Sequence, residues 1–138
     1  MWRTDTDRST GQAAVRPTVP LLQFDADFQM SDADADAFAD TVTDLYAETM
    51  DADRSYVAVV VRDDGHLSLG RAADGRQVFC SADVRTGRDE ETKRKFATGV
   101  MDEAAERFGV PDENLKVVFT EHAGAQMQGV DRVGGDWG

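Results

Sequence analysis

The sequence predicts an α+β fold in which one β-α-β unit occurs twice. Strand and helix patterns alternate from Pro20 onward, and segment 38–48 matches segment 96–106 at six of eleven positions. The same spacing aligns the valine-rich strands that follow each segment. Such a repeat indicates a duplicated supersecondary unit, and each unit needs a right-handed crossover between its parallel strands. We therefore expect a four-stranded mixed sheet with two helices on one face.

The first unit opens with a strand over 20–28, PLLQFDADF, whose leading proline is tolerated because it stands at the strand start. Ser31 then fits a helix N-cap, with Asp34 as an acidic variant of the capping box. The strand YVAVVV over 56–61 is rich enough in β-branched residues to be fully buried. The helix between the two strands has an inward face formed by Phe38, Val42, Leu45, Tyr46 and Thr49.

The second unit follows a turn-rich connection, which we expect to include a short hairpin around Asp74 and Gly75. A strand over 77–84 and a helix over 89–108 come next. A glycine and a proline just beyond the helix give its stop signal, and LKVVFT is the last clear strand. The helix has an apolar stripe formed by Phe96, Val100, Ala104 and Phe108.

The chain is acidic, with a net charge of −12 over 138 residues. This charge argues against nucleic acid and anionic membranes as partners. It fits a protein kept soluble in the salty cytosol of a halophilic host, where counterions screen self-repulsion. No apolar run reaches the length of a membrane helix, no signal-peptide core is present, and the single cysteine, Cys80, fits a small buried hydrophobe. We predict a cytoplasmic protein.

The first nineteen residues differ from the remainder. They contain three arginines and two aspartates, for a charge of +1, whereas the rest of the chain carries −13. They are rich in Thr, Ser, Gly and Gln and show no apolar period, which is typical of disorder. We expect a disordered or untranslated extension over 1–19 and one domain over 20–138, with units at about 20–61 and 77–120 and a C-terminal tail.

Most polar motifs of the chain indicate no chemistry. The acidic run SDADADAF lacks calcium-loop spacing, because the twelfth position holds Thr43 where a glutamate is required. His66 and His122 belong to no motif with a nucleophile or metal ligands, and we expect each to be a surface or loop histidine. The sequence therefore predicts no metal and no cofactor.

Two arginines, Arg85 and Arg88, stand where a strand ends and a helix begins. Ligands collect at strand ends in α/β folds, and two guanidiniums there bind a carboxylate by bidentate hydrogen bonds. The alternative is a set of surface ion pairs with the acidic residues 89–91. The first interpretation predicts a small carboxylate substrate.

Taken in order, these motifs resemble the tautomerase superfamily of 4-oxalocrotonate tautomerase and MIF, and most closely its cis-3-chloroacrylic acid dehalogenase branch. PLLQFD resembles the family's N-terminus, VTDLY the end of its first helix, and VRTGR its R-x-x-R arginine pair. VVFTEHAGAQMQGVDR follows the last-strand segment of the branch. The resemblance covers Pro20 to Gly138 and implies a homotrimer.

In that family the amino-terminal proline, exposed by removal of methionine, is the catalyst. The resemblance therefore implies Pro20 as the base, with Arg85 and Arg88 binding the substrate carboxylate or an adjacent oxygen. A free secondary amine beside two arginines is shifted toward its neutral, basic form. Tyr46 falls where the dehalogenase has an assisting histidine, and it either supplies a hydroxyl hydrogen bond or simply packs.

The sequence also departs from the dehalogenase. Its water-activating tyrosine and glutamate correspond to Val118 and Gly129, and neither replacement can accept a proton. Hydrolytic dehalogenation loses its base, whereas keto–enol proton transfer on a small 2-oxo acid does not need one there. The resemblance therefore implies an isomerase, a proline-based tautomerase.

A second departure concerns Pro20 itself, which is an internal amide in this chain and has no basic lone pair. Either the extension is removed, or synthesis starts at position 19, because the valine codon GTG can serve as an initiator. Initiation there would place methionine before Pro20, and methionine is removed efficiently before proline. If the amine stays blocked, the alternative is a non-catalytic trimeric protein that binds ligands or partners. Among enzymes, decarboxylation of a small β-keto acid is a further alternative.

Assembly follows from the sheet. Helices on one face leave an opposite face that we expect to be rich in Val, Leu and Phe, and a second subunit would cover it. The resemblance implies a trimer around a central barrel, with Pro20 and the arginines near subunit boundaries. Trp137 either anchors the C-terminal segment to a neighbouring subunit or belongs to a frayed terminus.

Overall fold

The computed structural model describes residues 19–123 together with Gln126 and Met127. The predictions for the extension, Gly129 and Trp137 therefore lie outside the described residues, apart from Val19. The described part contains four strands and two helices, with single 3₁₀ turns at Arg54–Tyr56 and Asp112–Asn114. In chain order the main elements are β1 (Leu21–Ala26), α1 (Asp32–Met50), β2 (Ala58–Arg62), β3 (Val78–Arg85), α2 (Glu90–Phe108) and β4 (Leu115–His122).

The four strands form one mixed sheet in the order β2-β1-β3-β4. β1 pairs with β2 in parallel and β3 pairs with β4 in parallel, so each β-α-β unit keeps its own two strands together. The two units join through the antiparallel pair of β1 and β3. The predicted fold of a duplicated β-α-β unit with a four-stranded mixed sheet and two helices is confirmed.

Both helices begin where their sequence signals indicate, and α2 also ends at its predicted stop signal. Ser31 caps α1 by accepting a hydrogen bond from the Asp34 amide at 3.0 Å. Asp89 caps α2 in the same way, accepting from the Thr92 amide at 2.7 Å. Gly109 then ends α2 in the left-handed conformation, with φ of 70°, which glycine adopts without strain.

The core lies between the sheet and the helices. Even-numbered residues of β1 and β3 are buried there and odd-numbered ones are not, which is the strand period of two. Tyr46 packs edge-on against Phe96 at 5.3 Å, and this contact joins the two helices. The largest fully buried side chains include Phe24, Phe38, Tyr46, Phe96, Val42 and Val100.

The sheet face turned away from the helices is mixed in character, so the expectation of an apolar face was wrong. Val60 and Val118 are exposed there, at 36% and 47%. Between and beside them lie polar groups, including an ion pair in which Arg62 Nε donates to Asp25 at 2.7 Å. The composition of the strands suggested an apolar outer face, whereas their alternation turns most of the valine, leucine and phenylalanine toward the helices.

The connection between β2 and β3 contains no strand in the structure, so the hairpin predicted around Asp74 and Gly75 was also wrong. Side chains hold this connection instead. Asn114, fully buried, accepts from the Ala73 amide at 2.7 Å and donates to the carbonyls of Ala73 and Arg76 at 2.9 and 3.1 Å. A turn fixed in this way does not need a strand ladder to satisfy its backbone.

The sheet therefore has two different ends. The end of β1, the starts of β3 and β4, and the connection over 63–77 meet at one of them, which we call the loop end. The start of β1 and the ends of β3 and β4 meet at the other, which we call the Pro20 end. Within the described residues, no helix is long and apolar enough to cross a membrane.

Candidate active site

The topology brings the predicted site residues to the Pro20 end. Pro20 directly precedes β1, and its neighbour Leu21 pairs with Asp83 of the antiparallel strand β3. The start of β1 therefore lies beside the end of β3, where Arg85 stands. Arg85 in turn pairs with His122, the last residue of β4. Residues from three distant parts of the sequence share this end because antiparallel pairing sets a strand start against a strand end.

Pro20 is buried, and its carbonyl accepts a hydrogen bond from the Ala58 amide at 3.0 Å. This bond extends the parallel pairing of β1 and β2 to the proline itself. Its nitrogen is acylated by Val19 in this chain and carries no proton or basic lone pair. Pro20 is thus fixed in place at the sheet end, but it would become a base only as the first residue of a chain.

The turn between β3 and α2 positions Arg88. Gly87 adopts φ of 111°, a conformation that side-chain-bearing residues rarely reach, so the turn depends on this glycine. The Thr86 amide donates to the His122 carbonyl at 2.9 Å, which ties the turn to the end of β4. With Asp89 capping α2 immediately afterwards, the backbone is fixed on both sides of Arg88.

Tyr46 and Arg88 face each other at the Pro20 end with unsatisfied polar atoms. Tyr46 is fully buried, and among the described residues neither its hydroxyl nor Arg88 Nε has a partner with hydrogen-bonding distance and angle. Burial raises the pKa of Tyr46 above its ordinary value. The nearby Arg88 side chain, through its charge and a weak hydrogen-bonding approach to the hydroxyl, offsets only part of that rise. The hydroxyl therefore remains a neutral donor at physiological pH. An unpaired buried donor costs about 1–3 kcal/mol, so a pair of them points to a missing ligand oxygen.

His122 is not the plain surface or loop histidine that the sequence predicted. Its Nε2 lies 2.9 Å from Asp83 Oδ1, and both side chains are partly buried. The strand alternation turns both residues to the sheet face away from the helices, together with Arg85. His66, by contrast, is exposed in the connection at the loop end, as predicted. The Asp83–His122 pair spans 39 residues, and no local pattern in the sequence reveals it.

The alternative interpretation of the arginines, as ion-pair partners of residues 89–91, is not supported for Arg88. Asp89 serves as the helix cap, and Glu90 lies 3.6 Å from Arg94 one turn later. No ion pair joins Arg88 to any of these acids in the described part of the chain. Its Nε is turned toward buried space instead.

Other reactive side chains lie outside this site. Cys80 is buried in the middle of β3, where burial raises its thiol pKa to about 12, so it is not a nucleophile at neutral pH. Across the described ranges, no group of three or more His, Cys, Asp or Glu is arranged to hold a metal ion. The polar groups at the Pro20 end are thus suited to binding an anion or a carbonyl oxygen and to moving protons.

Comparison with known proteins supports the fold. No protein-family model and no curated protein sequence matches the chain. Among solved structures, it is similar to macrophage migration inhibitory factor of Toxoplasma gondii, with a TM-score of 0.74 and 20% identity over 82% of this chain and 98% of the other. A structure of Pt0534 inactivated by 2-oxo-3-pentynoate gives 0.71 and 16%, over 82% and 94% of the two chains. The chain has the fold of the tautomerase superfamily.

The structural similarity extends to the dehalogenase branch that the sequence resembled. N1, a member of the cis-3-chloroacrylic acid dehalogenase family, matches with a TM-score of 0.68 and 24% identity over 80% of this chain and 82% of N1. The resemblance stated from the sequence is therefore confirmed at the level of fold. Activity and site roles are a separate question, because identities this low establish the fold alone.

Proposed function

We propose that this protein is a proline-based tautomerase that interconverts the keto and enol forms of a small 2-oxo acid. Pro20 acts as the base once it is the first residue, and Arg85 with Arg88 binds the carboxylate. The unsatisfied Tyr46 hydroxyl and Arg88 Nε carry the proposal, since both are donors and both lie at the proline end of the sheet.

The chemistry follows from these groups. The neutral secondary amine of Pro20 removes a proton from the carbon next to the ketone, and the two arginines stabilise the negative charge that develops on the oxygen. The same amine returns the proton in the reverse direction. Tyr46 stays protonated because of its raised pKa, so it can donate a hydrogen bond to the substrate oxygen. Of the two roles open to Tyr46, hydroxyl donor or packing residue, we therefore propose the hydroxyl role.

The proposal requires Pro20 to be an amine. We compare three proteins on phenylenolpyruvate: the 138-residue chain, a chain that begins at Val19 and a chain that begins at Pro20. Only the chain that begins at Pro20 should accelerate ketonisation, because in the other two proteins the proline nitrogen is an amide. The Val19 chain is the matched control, since it lacks the extension but keeps the block. Equal activity of the last two, with Val19 verified by intact mass, would refute the amine mechanism.

The blocked nitrogen also supports the second candidate function. With Val19 attached, Pro20 is buried and has no proton to exchange, while the donors of Tyr46 and Arg88 are still in place. Such a protein would bind a 2-oxo acid without converting it. Phenylpyruvate that binds the 138-residue chain and the Pro20 chain equally well, with turnover by neither, would favour this candidate.

We further propose that the protein works as a homo-oligomer, with a trimer as the expected assembly. The mixed sheet face with its exposed Val60 and Val118 supports this, since two partly apolar strands lie at the sheet edges β2 and β4. Sedimentation equilibrium at high salt tests it. A mass of three chains is expected, and a uniform monomer would contradict the proposal.

A further inference from the structure

A histidine–aspartate pair lies at the Pro20 end, and the proposed function does not use it. His122 Nε2 lies 2.9 Å from Asp83 Oδ1, with 30% and 25% of the two side chains exposed. The pair is thus shielded enough to be ordered and open enough for a small molecule to reach. Asp83 accepts a hydrogen bond and has no proton to give when ionised, so it holds Nε2 as the protonated nitrogen.

The position of the pair links it to the rest of the site. His122 is the direct cross-strand partner of Arg85, and Asp83 is the cross-strand partner of Leu21, which follows Pro20. A carboxylate bound by Arg85 would therefore lie next to the imidazole. Within the described part of the chain, the imidazole is hydrogen-bonded at Nε2, to Asp83.

A cross-strand pair on a sheet face is usually only structural, and this one differs in two ways. The residue directly opposite Asp83 is Thr120, so the carboxylate reaches diagonally to the histidine instead of to its nearest neighbour. The histidine also ends its strand, and its carbonyl accepts from the Thr86 amide at the turn that positions Arg88. The imidazole is therefore held at the site both by its backbone and by its Nε2.

We infer that His122, oriented by Asp83, is a second proton-transferring residue of this site, which acts on the substrate oxygen while Pro20 acts on the carbon. The inference rests on the proposed function. His122 is the catalytic residue because it touches the substrate, and Asp83 is a positioning residue.

The proposed step converts the ketone to the enol with two proton transfers. From the ketone, the Pro20 amine takes the proton from the carbon beside the carbonyl, and the C–H electrons form the C=C bond. The C=O π electrons move to oxygen, which takes the Nδ1 proton of a His122 ring protonated at both nitrogens, while Asp83 holds the ring in place through Nε2–H. The products are the enol, a protonated Pro20 and a neutral His122. Solvent water then takes the proton from Pro20 and returns one to His122, which restores both residues. No oxidant or reductant takes part.

The test uses the chain that begins at Pro20 and the variants His122→Gln, Asp83→Asn and His66→Gln. His66→Gln is the matched control, because it makes the same change at an exposed histidine at the loop end. We expect His122→Gln to lower kcat about 100-fold, as loss of a general acid does, with KM changed less than threefold. Asp83→Asn should lower kcat about 10-fold, and His66→Gln should leave both constants unchanged.

Restoration of activity by added imidazole distinguishes a catalytic role of His122 from a merely structural one. Added imidazole should restore activity to His122→Ala by at least tenfold, since a free base can occupy the space of the missing ring. Unchanged kcat in His122→Gln, or a loss that imidazole does not restore in a variant with normal thermal unfolding, would overturn the inference.

Failure of the proposed function looks different. In that case the parent chain beginning at Pro20 would itself be inactive, whatever stands at position 122. The imidazole signals of His122 are then followed by NMR during titration with phenylpyruvate. Unshifted His122 signals at saturation would overturn the inference in that protein, and shifted signals would retain His122 as the ligand contact that the inference requires.

Discussion

Both ends of the sheet carry polar side chains, but the two ends differ in how completely those side chains are hydrogen-bonded. At the loop end Gln77 donates to both Asp27 and the Leu67 carbonyl, at 3.0 and 3.1 Å, and accepts from the Leu69 amide at 2.9 Å. At the Pro20 end Tyr46 and Arg88 have donors that meet no acceptor. The loop end satisfies these polar groups internally. The Pro20 end satisfies the Asp83–His122 pair but leaves the donors of Tyr46 and Arg88 without acceptors among the described residues.

This difference separates stability from function within one small domain. Polar groups that saturate one another hold a loop in place, whereas unsatisfied donors reduce stability and persist where a ligand supplies the acceptor. Arg76 shows the first behaviour, since it stacks over Phe28 at 4.5 Å and donates to the Phe108 carbonyl at 3.2 Å. Changes at the loop end should therefore affect folding, and changes at the Pro20 end should affect binding.

The largest expected effect on folding is at Asn114. Asn114→Ala leaves the amide and carbonyl of Ala73 and the carbonyl of Arg76 without their partner, and should lower the free energy of unfolding by about 3 kcal/mol. Urea unfolding measures the change, and Glu113→Ala, an exposed neighbour, is the control that should shift by less than about 0.5 kcal/mol. Loss of activity at temperatures where Asn114→Ala is still folded would contradict a purely structural role.

Arg88→Ala should have the largest effect at the other end. Loss of a charge-assisted hydrogen bond should weaken binding of phenylpyruvate by about 2 kcal/mol, or roughly 30-fold. The free energy of unfolding should not fall, because the Nε that is removed has no hydrogen-bond partner among the described residues. Calorimetric titration measures the affinity, and Arg94→Ala, exposed on the same helix, is the control. Equal affinities for both variants would remove Arg88 from the site.

A smaller effect of opposite sign is expected at Tyr46. Tyr46→Phe removes a buried hydroxyl that has no partner and should raise the free energy of unfolding by about 1 kcal/mol. The same change should weaken the binding of phenylpyruvate, because the hydroxyl is the donor to the ligand. A variant that loses stability would show that the hydroxyl is satisfied in the free protein.

The pH dependence of Tyr46 gives a further test. Its pKa is raised in the folded protein, so above the ordinary value of 10 the unfolded chain loses the phenolic proton while the folded chain keeps it. The folded state then binds more protons, and its stability falls as the pH rises beyond 10. Tyr46→Phe should lose less stability than the parent over that range in urea titrations. Parallel curves for the two proteins would show that the pKa of Tyr46 is not raised.

The sequence predicted the parts of this molecule that depend on local patterns. Ser31 and Gly109 mark helix ends through their own backbone preferences, and the stripe from Phe96 to Phe108 follows from the helical period. The internal repeat predicted the two β-α-β units, because duplicated segments fold alike. Pro20, Arg85 and Arg88 were proposed as site residues through the family resemblance.

What the sequence did not predict depends on contacts between distant residues. The Asp83–His122 pair requires the register of β3 against β4, and a shift of one residue would separate the two side chains onto opposite faces. The turn signals at Asp74 and Gly75 suggested a hairpin, but Asn114, 38 residues beyond Arg76, satisfies that backbone instead. The mixed character of the sheet face away from the helices was not predicted, because composition does not show which strand residues point toward the helices.

The contrast between the two ends is tested most directly by NMR on the chain that begins at Pro20. The side-chain N–H signal of Arg88 Nε and the side-chain amide signals of Asn114 are followed in one titration with phenylpyruvate. We expect the Arg88 Nε–H signal to shift and to become protected from solvent exchange as the ligand binds, while the Asn114 signals stay in place. Binding that saturates without moving the Arg88 signal, or that moves the Asn114 signals instead, would contradict the account.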